Sequence, residues 1–338
     1  MNEHNTATLP EKEHAISLSE LDISSLAIPP EWANGWCELD QRGCIAVSGE
    51  EAESFLQGQL TQDMSWVKKG QSLLAAHCTP KGRILFLFRC CFWRNQFYLD
   101  LPAELEAQAL KRLTMYKLRA KVTLQSESDR IARTAFWGEE MRALLQRNGW
   151  DVPEQAGSTV QQDEAMLCSL GEDRWIVLSS IEYAAHLRAQ LDKEITPSPI
   201  GWQIACVRAG EPEVIAHTSD EWIPQMLNLD HLQGVSFKKG CYTGQEIVAR
   251  AHFLGRVKRR MRLFAYHALV ALEPGQKVRL SSLESDGRPT FSRAIETPES
   301  EEEQGDTAQV VRSVELHPHN GWVLAVTKIP AENAPTET

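Results

Sequence analysis

Cys241 is the residue whose surroundings point most directly to chemistry. It stands in Phe237-Lys-Lys-Gly-Cys-Tyr-Thr-Gly-Gln-Glu-Ile247, where an apolar residue, two lysines and two glycines lead into a helix. Ile247, Ala251 and Leu254 recur at i, i+4 and i+7, one helical face, and Gly255 supplies the stop. Cys241 is thereby placed in a tight turn ahead of a helix N-terminus, near unpaired backbone N–H groups and the positive end of the helix dipole. With Lys238 and Lys239 alongside, such a setting favours thiolate over thiol and makes a reactive sulfur. The same residues also allow a small packed cysteine beside a turn, since free cysteine is among the most buried residue types. Gly240 and Gly244 are expected to supply backbone conformations closed to other residues. Gln245 and Glu246 either orient the turn for a ligand or serve as first-turn helix residues, Glu246 being favoured by the dipole. His77 beside Cys78 spells a Cys–His pair, but neighbours in a strand point to opposite faces, so a satisfied, partly buried histidine is expected. No set of side chains has metal-ligand spacing, and no bound metal is predicted.

The elements that must position these residues are readable in order. Cys44–Val47 is a short apolar strand, and Ser48 with Glu51 spells a capping box opening a helix through Phe55, Leu56 and Leu60. Gly58 interrupts that helix and is read as a point of close packing or ligand approach. Leu73–His77, Ile84–Phe88 and Phe97–Leu101 form an antiparallel meander, with turn chemistry at Thr79-Pro-Lys-Gly82. Pro102 opens a long helix carrying Leu105, Ala109, Leu113 and Tyr116 near one face. A second unit repeats the mixture: strand 131–136, a helix through Met141, Leu144 and Leu145, a polar linker 151–163, paired strands 165–170 and 175–178, a helix 182–191 and another from Trp202 to Arg208. Beyond Gly255 the pattern changes to short strands with Pro-Gly and His-Pro-His-Asn-Gly turns, which predicts a small barrel. The acidic stretch Glu299–Asp306 reads as a mobile loop. The resulting division is a flexible leader 1–30, an N-terminal α+β domain 31–125, a second α+β domain 126–256 carrying the Cys241 motif, a C-terminal barrel domain 257–331 and a tail 332–338.

A chain of 338 residues exceeds one ordinary core, in keeping with two or three domains. Its eight cysteines form no C-x-x-C pair, and the first thirty residues are polar, without the pattern of a secretory signal. The expectation is a cytoplasmic protein with reduced thiols and no membrane span. The formal charge of −11 argues against general binding to nucleic acid. Charge is nevertheless uneven: Lys238, Lys239, Arg250, Arg256, Lys258, Arg259, Arg260 and Arg262 crowd one stretch against Glu246 alone. That run is either a solvated face or a local anion site.

Lys239-Gly-Cys-Tyr-Thr-Gly-Gln-Glu246 resembles the K-G-C-Y-x-G-Q-E signature of the YgfZ family, folate-binding proteins linked to tRNA modification and related to the GcvT aminomethyltransferases. Similarity extends from about Leu39 to Val326, through Leu56-Gln-Gly-Gln-Leu-Thr-Gln-Asp63, Lys81-Gly82 and Arg208-Ala-Gly210. The resemblance implies an α+β fold with three domains in a ring around a folate-sized cavity, and a monomer. It implies tetrahydrofolate or another reduced folate as ligand, with Trp202 stacking on the pterin, and Cys241 as the functional thiol. Tyr242 would pack against the cavity wall. Iron–sulfur enzymes, including those that thiomethylate tRNA, would be the partners, and the protein an accessory factor for them. The alternative is a folate-dependent aminomethyl or one-carbon transferase, which requires a carboxylate at the donor end of the pterin. One departure stands out: where the family has a second pterin-facing tryptophan before the first strand, the register here gives Arg42, with Trp36 nearby but out of register.

Overall fold

The computed structural model describes residues 16–20, 28, 30–191, 195–255, 257–268, 271–279, 307–318 and 320–329. In chain order these form β1 (Ile16–Glu20), β2 (Gly35–Glu38), β3 (Arg42–Ser48), α1 (Ala52–Gln59) and α2 (Met64–Lys68). The meander β4 (Leu73–Cys78), β5 (Ile84–Trp93) and β6 (Gln96–Pro102) precedes α3 (Ala103–Lys117). Next come β7 (Thr123–Ser126), β8 (Ile131–Trp137), α4 (Glu139–Arg147), β9 (Thr159–Gln161), β10 (Ala165–Gly171) and β11 (Arg174–Ser180). Helices α5 (Ile181–Leu191), α6 (Pro199–Arg208) and α7 (Gln245–Phe253) lead to β12 (Arg259–Ala268), β13 (Lys277–Arg279), β14 (Thr307–His317) and β15 (Asn320–Lys328).

The strands pair antiparallel into three five-stranded sheets: β4-β5-β6-β3-β7, β2-β8-β11-β10-β9 and β1-β12-β15-β14-β13. Because side chains alternate across a strand, each sheet buries one face in its own core and the other in a core shared with its neighbours. Phe86, Phe88 and Cys90 of β5 pack with α1 and α3, whereas Ile84 and Leu87 face the loops and strands that follow α6. In β11, Trp175 and Val177 meet α4 and α5, while Ile176 and Leu178 join Cys44, Ala46 and Trp202 between the first two sheets. In β15, Val323 and Ala325 face one core, Leu324 and Val326 the other. A strand buried on both faces reads as a near-continuous apolar run, which is why 84–88 showed no alternation.

Several local expectations are corrected by tertiary pairing. Ile16–Glu20, inside the stretch read as a leader, is an edge strand of the third sheet, in register Ile16↔Ala268. Strand β2, placed by sequence in the first unit, pairs with β8 of the second sheet. Thr159–Gln161, read as linker, adds a strand against β10. No capping box forms at Ser48, which ends β3; the Glu51 carboxylate instead accepts the Lys121 backbone N–H at 2.7 Å. Nothing lies within 4 Å of where a Cβ on Gly58 would sit, so close packing does not explain that glycine. In α7 it is Val248 that is buried, and Leu254 is exposed. Within the unit expected as a barrel, the described residues form the five-stranded sheet β1-β12-β15-β14-β13. Arg256, the stretch Glu299–Asp306 and the tail from 332 lie outside the described residues.

Candidate functional site

Three sequence stretches far apart in the chain meet around the Cys241 turn. Lys239 is buried, and its ammonium donates to the Leu60 carbonyl at 2.6 Å and the Gln62 carbonyl at 2.8 Å. Burial pushes its pKa down to about 8, with Asp63 pulling the other way. Lys239 is therefore the anchor of the turn and not a solvent-facing counterion for Cys241, as the sequence suggested. The Leu60–Gln62 segment is itself tied down: Thr61 Oγ1 donates to the Gly234 carbonyl and accepts from the Ala76 amide, and the Thr61 carbonyl accepts from Ser236. On the other side, Gly244 has φ +86° and lies where a Cβ would come within 2.5 Å of the Thr79 carbonyl oxygen. Gly82 of the Thr79–Gly82 turn abuts Ile247 in the same way. Gly240 is different, with nothing near its Cβ position and no positive φ, so the conformational argument holds for Gly244 alone.

Cys241 itself is exposed at this turn, whereas the other seven cysteines are buried. Tyr242 turns inward beside Cys78, its hydroxyl buried without a partner and its pKa raised by burial. Glu246 is solvent-exposed and pairs with Arg250 one turn on, the role of a first-turn helix residue. Gln245 opens α7 directly after the Gly244 N-cap. The basic run is partly neutralised, since Arg260 pairs with Asp230 at 2.8 Å and Lys239 is buried. His77 is a satisfied core residue: Nδ1 lies 3.1 Å from the Gln59 carbonyl and Nε2 accepts from Arg112 at 3.0 Å, with burial pushing its pKa down to about 4.

Trp202 belongs to a separate site. It lines a cavity of about 350 Å³ formed where the shared cores meet, with Leu74 and Leu87 from the first sheet, Ile176 from the second and Arg312 from the third. Helix α6 brings it there. Ser198 caps the helix by accepting from the Gly201 amide, and Gly201 lets the helix approach Trp137, whose Cζ2 would lie 2.5 Å from a Cβ. The Trp202 ring sits 6.0 Å from that of Trp137 and 5.9 Å from the Arg174 guanidinium. Arg42 also lines this cavity, at the register of the missing tryptophan, and is bound to Asp100 (2.6 Å) and Glu213 (2.7 Å). Trp36 does not, because it is one residue out of phase with the cavity-lining Cys37; it packs into the second unit's own core and donates Nε1–H to Ile195. None of the residues 237–247 lines this cavity. Leu74 and Cys78 share a face of β4, so cavity-lining Leu74 stands roughly 13 Å from the Cys78 that Gly244 contacts, at about 3.3 Å per residue.

Sequence reasoning missed the charged walls of the cavity. Glu211 accepts from Arg89 (2.8 Å) and Arg174 (2.6 Å). Burial alone would raise its pKa, but those two guanidiniums hold the carboxyl far below the usual carboxylate range. Arg312 also lines the cavity, kept charged against burial by the fields of Glu213 and Glu211. The readable signal was Glu211-Pro-Glu213 directly after Arg208-Ala-Gly210, two carboxylates flanking a proline at a helix stop. Cys37 and Cys206 line the cavity too, but burial pushes the Cys37 thiol up to about 12 and raises Cys206 as well.

The fold of the chain matches that of the glycine cleavage system aminomethyltransferase T from Bartonella henselae, with a TM-score of 0.58 and 16% identity over 88% of this chain and 86% of that one. In sequence it is 34% identical over 243 residues to the tRNA-modifying protein YgfZ of Colwellia psychrerythraea, spanning 71% of this chain and 73% of that protein. The chain belongs to the YgfZ family. No protein-family model matches it.

Proposed function

We propose that this protein binds tetrahydrofolate, or another reduced folate, in the cavity lined by Trp202. It would act in the cytoplasm as a monomeric accessory factor for iron–sulfur enzymes, including those that thiomethylate tRNA. The carrying observation is the cavity itself, where an aromatic ring and half-buried arginines converge at the junction of three sheets. A reduced folate has a flat pterin and an anionic glutamate tail. Trp202 offers the apolar surface for the first, and Arg312 offers positive charge for the second. In this reading the three units form a ring around the ligand and the third sheet closes as a small barrel. A role in tRNA modification is supported by the name of the YgfZ relative. Cys241, as the exposed cysteine, is the residue that would meet a partner. No helix among the described residues is long and apolar enough to cross a membrane.

The second reading, a folate-dependent aminomethyl or one-carbon transferase, is favoured by the shared fold. A transferase base needs a pKa near the operating pH. Glu211 is held ionised far below that, Asp100 and Glu213 are engaged by Arg42, Glu38 pairs with Arg188, Glu104 accepts from the Ala216 amide, and Asp40 is exposed to solvent. The chemistry of these carboxylates is that of fixed counterions, so the accessory reading is preferred.

Calorimetry with tetrahydrofolate tests the proposal. Trp202 is well buried, so Trp202→Phe is the variant that spares packing; a Trp202→Ala change would also open a cavity. Losing part of the stacking surface should weaken binding by about 1 kcal/mol, the lower end for an aromatic platform. No binding by the wild type, or unchanged affinity in Trp202→Phe and Trp202→Ala alike, would overturn the assignment.

A further inference from the structure

A second cleft lies behind the Trp137–Trp202 pair, bounded by a different face of α6. Its volume is about 340 Å³, and Arg174, Arg208, Trp137, Ala205 and Ile28 contribute to its walls. Whereas Trp202, Gln203 and Cys206 of α6 turn to the first cavity, Ala205 and Arg208 turn to this one.

Two observations mark the cleft as built for a ligand. The Nε of Arg174 and the Nε of Arg208 are both buried with no hydrogen-bond partner among the described residues. Arg174 is 5% exposed, and its Nη1 is spent on Glu211 and Cys206 while Nε is left over. A buried donor left unsatisfied is costly, more so where the group is charged, so the two guanidiniums bring unmet donor capacity to the wall of the cleft. The second observation is the rim. Glu139 and Glu172 stand there exposed, and Asp173 is held by Arg142 at 2.7 Å. A plain anion entering toward the arginines would pass these carboxylates and be repelled by them. A molecule carrying a carboxylate at one end and an ammonium at the other satisfies both, with Trp137, Ala205 and Ile28 left for an apolar part.

We propose that this cleft binds a small zwitterion of the α-amino-acid class bearing an apolar side chain. The carboxylate lies against Arg208 and Arg174, and the ammonium lies toward Glu139 and Glu172. The site is distinct from the folate cavity and does not depend on that reading, because the two share no lining residue.

Three probes separate the parts of this claim, each followed by saturation-transfer NMR and titration on the full chain. They are L-leucine, 4-methylpentanoate (its carboxylate without the amine) and isoamylamine (its amine without the carboxylate). L-leucine should bind saturably and at least about tenfold more tightly than either fragment, each of which lacks one charged contact. Arg208→Met should weaken L-leucine by about tenfold or more, and its thermal midpoint should hold, since the buried Nε of Arg208 has no partner to lose among the described residues. Glu139→Gln/Glu172→Gln, a pair of exposed changes, should weaken L-leucine while leaving 4-methylpentanoate unchanged or tighter. Trp202→Phe should leave L-leucine binding intact. Absence of L-leucine binding to the wild type would overturn the proposal. So would binding of 4-methylpentanoate as tight as that of L-leucine, or L-leucine affinity unchanged in Arg208→Met.

Discussion

Replacing Lys239 by methionine tests whether the signature lysine anchors the turn. The side chain is 8% exposed, and burial lowers its pKa from 10.5 to about 8. At 1.36 kcal/mol per pH unit, the drop corresponds to about 3 kcal/mol of strain from keeping the charge inside. Against this stand two charged hydrogen bonds, to Leu60 and Gln62, worth ~1.5–3 kcal/mol each. Lys239→Met at neutral pH removes both effects, so the net destabilisation should be about 0–3 kcal/mol, less than the bonds alone would give. The pH dependence is the sharper test. Below about pH 8 both folded and unfolded chains hold the proton, and the penalty is fully present. Between about 8 and 10.5 the unfolded chain keeps its proton while the folded one has lost it, so stability rises with pH. The neutral amine still has N–H groups for both carbonyls. Denaturant unfolding of wild type and variant, subtracted pH by pH, cancels the other titrating groups. The difference should grow in favour of the wild type by up to about 3 kcal/mol across that window. A difference that is flat, or that shrinks, would refute the buried-ammonium reasoning.

Further outcomes follow from the same geometry. Cys241→Ser alters an exposed position, so unfolding should stay within about 0.5 kcal/mol of wild type, while complementation of a tRNA-thiomethylation defect should fail; a destabilised variant that still complements would sink the functional-thiol reading. Gly244→Ala should cost more than about 2 kcal/mol in denaturant unfolding, because a left-handed backbone and the Thr79 carbonyl both oppose a Cβ. Gly240→Ala, which meets nothing, is the control and should cost under about 1 kcal/mol. Glu211→Gln leaves Arg89 and Arg174 without their shared countercharge and should destabilise by about 3–5 kcal/mol near neutrality. Since the Glu211 pKa is depressed on folding, its contribution is complete above its ordinary value of 4.5 and declines as pH falls below it; that part of the acid sensitivity should be missing from the variant's unfolding profile.

The family and most of the elements were legible in the sequence because they rest on local chemistry. The eight-residue signature is contiguous, the meander 73–101 is punctuated by its own turns, and α3 shows its buried face as Leu105, Ala109 and Leu113. Strand alternation alone separated His77 from Cys78, while its full burial, beyond the partly buried site expected, comes from packing against Phe86 and Tyr116. What the chain could not reveal by itself depends on partners distant in sequence. Ile16–Glu20 has alternation too short to stand alone and becomes a strand only against β12. Trp36 and Cys37 are neighbours, and only the pairing of β2 with β8 decides that the cysteine faces the cavity while the tryptophan faces a core. Lys239 looked like an exposed cation beside a thiol until the Leu60–Gln62 carbonyls, nearly 180 residues away, drew it inside. The Arg89–Glu211–Arg174 bridge joins a strand of the first sheet, a helix stop and a strand of the second, and no periodicity within any one of them records that meeting. A charge inside a protein is tolerated only where its countercharge arrives with it, and that arrival is a property of the tertiary structure.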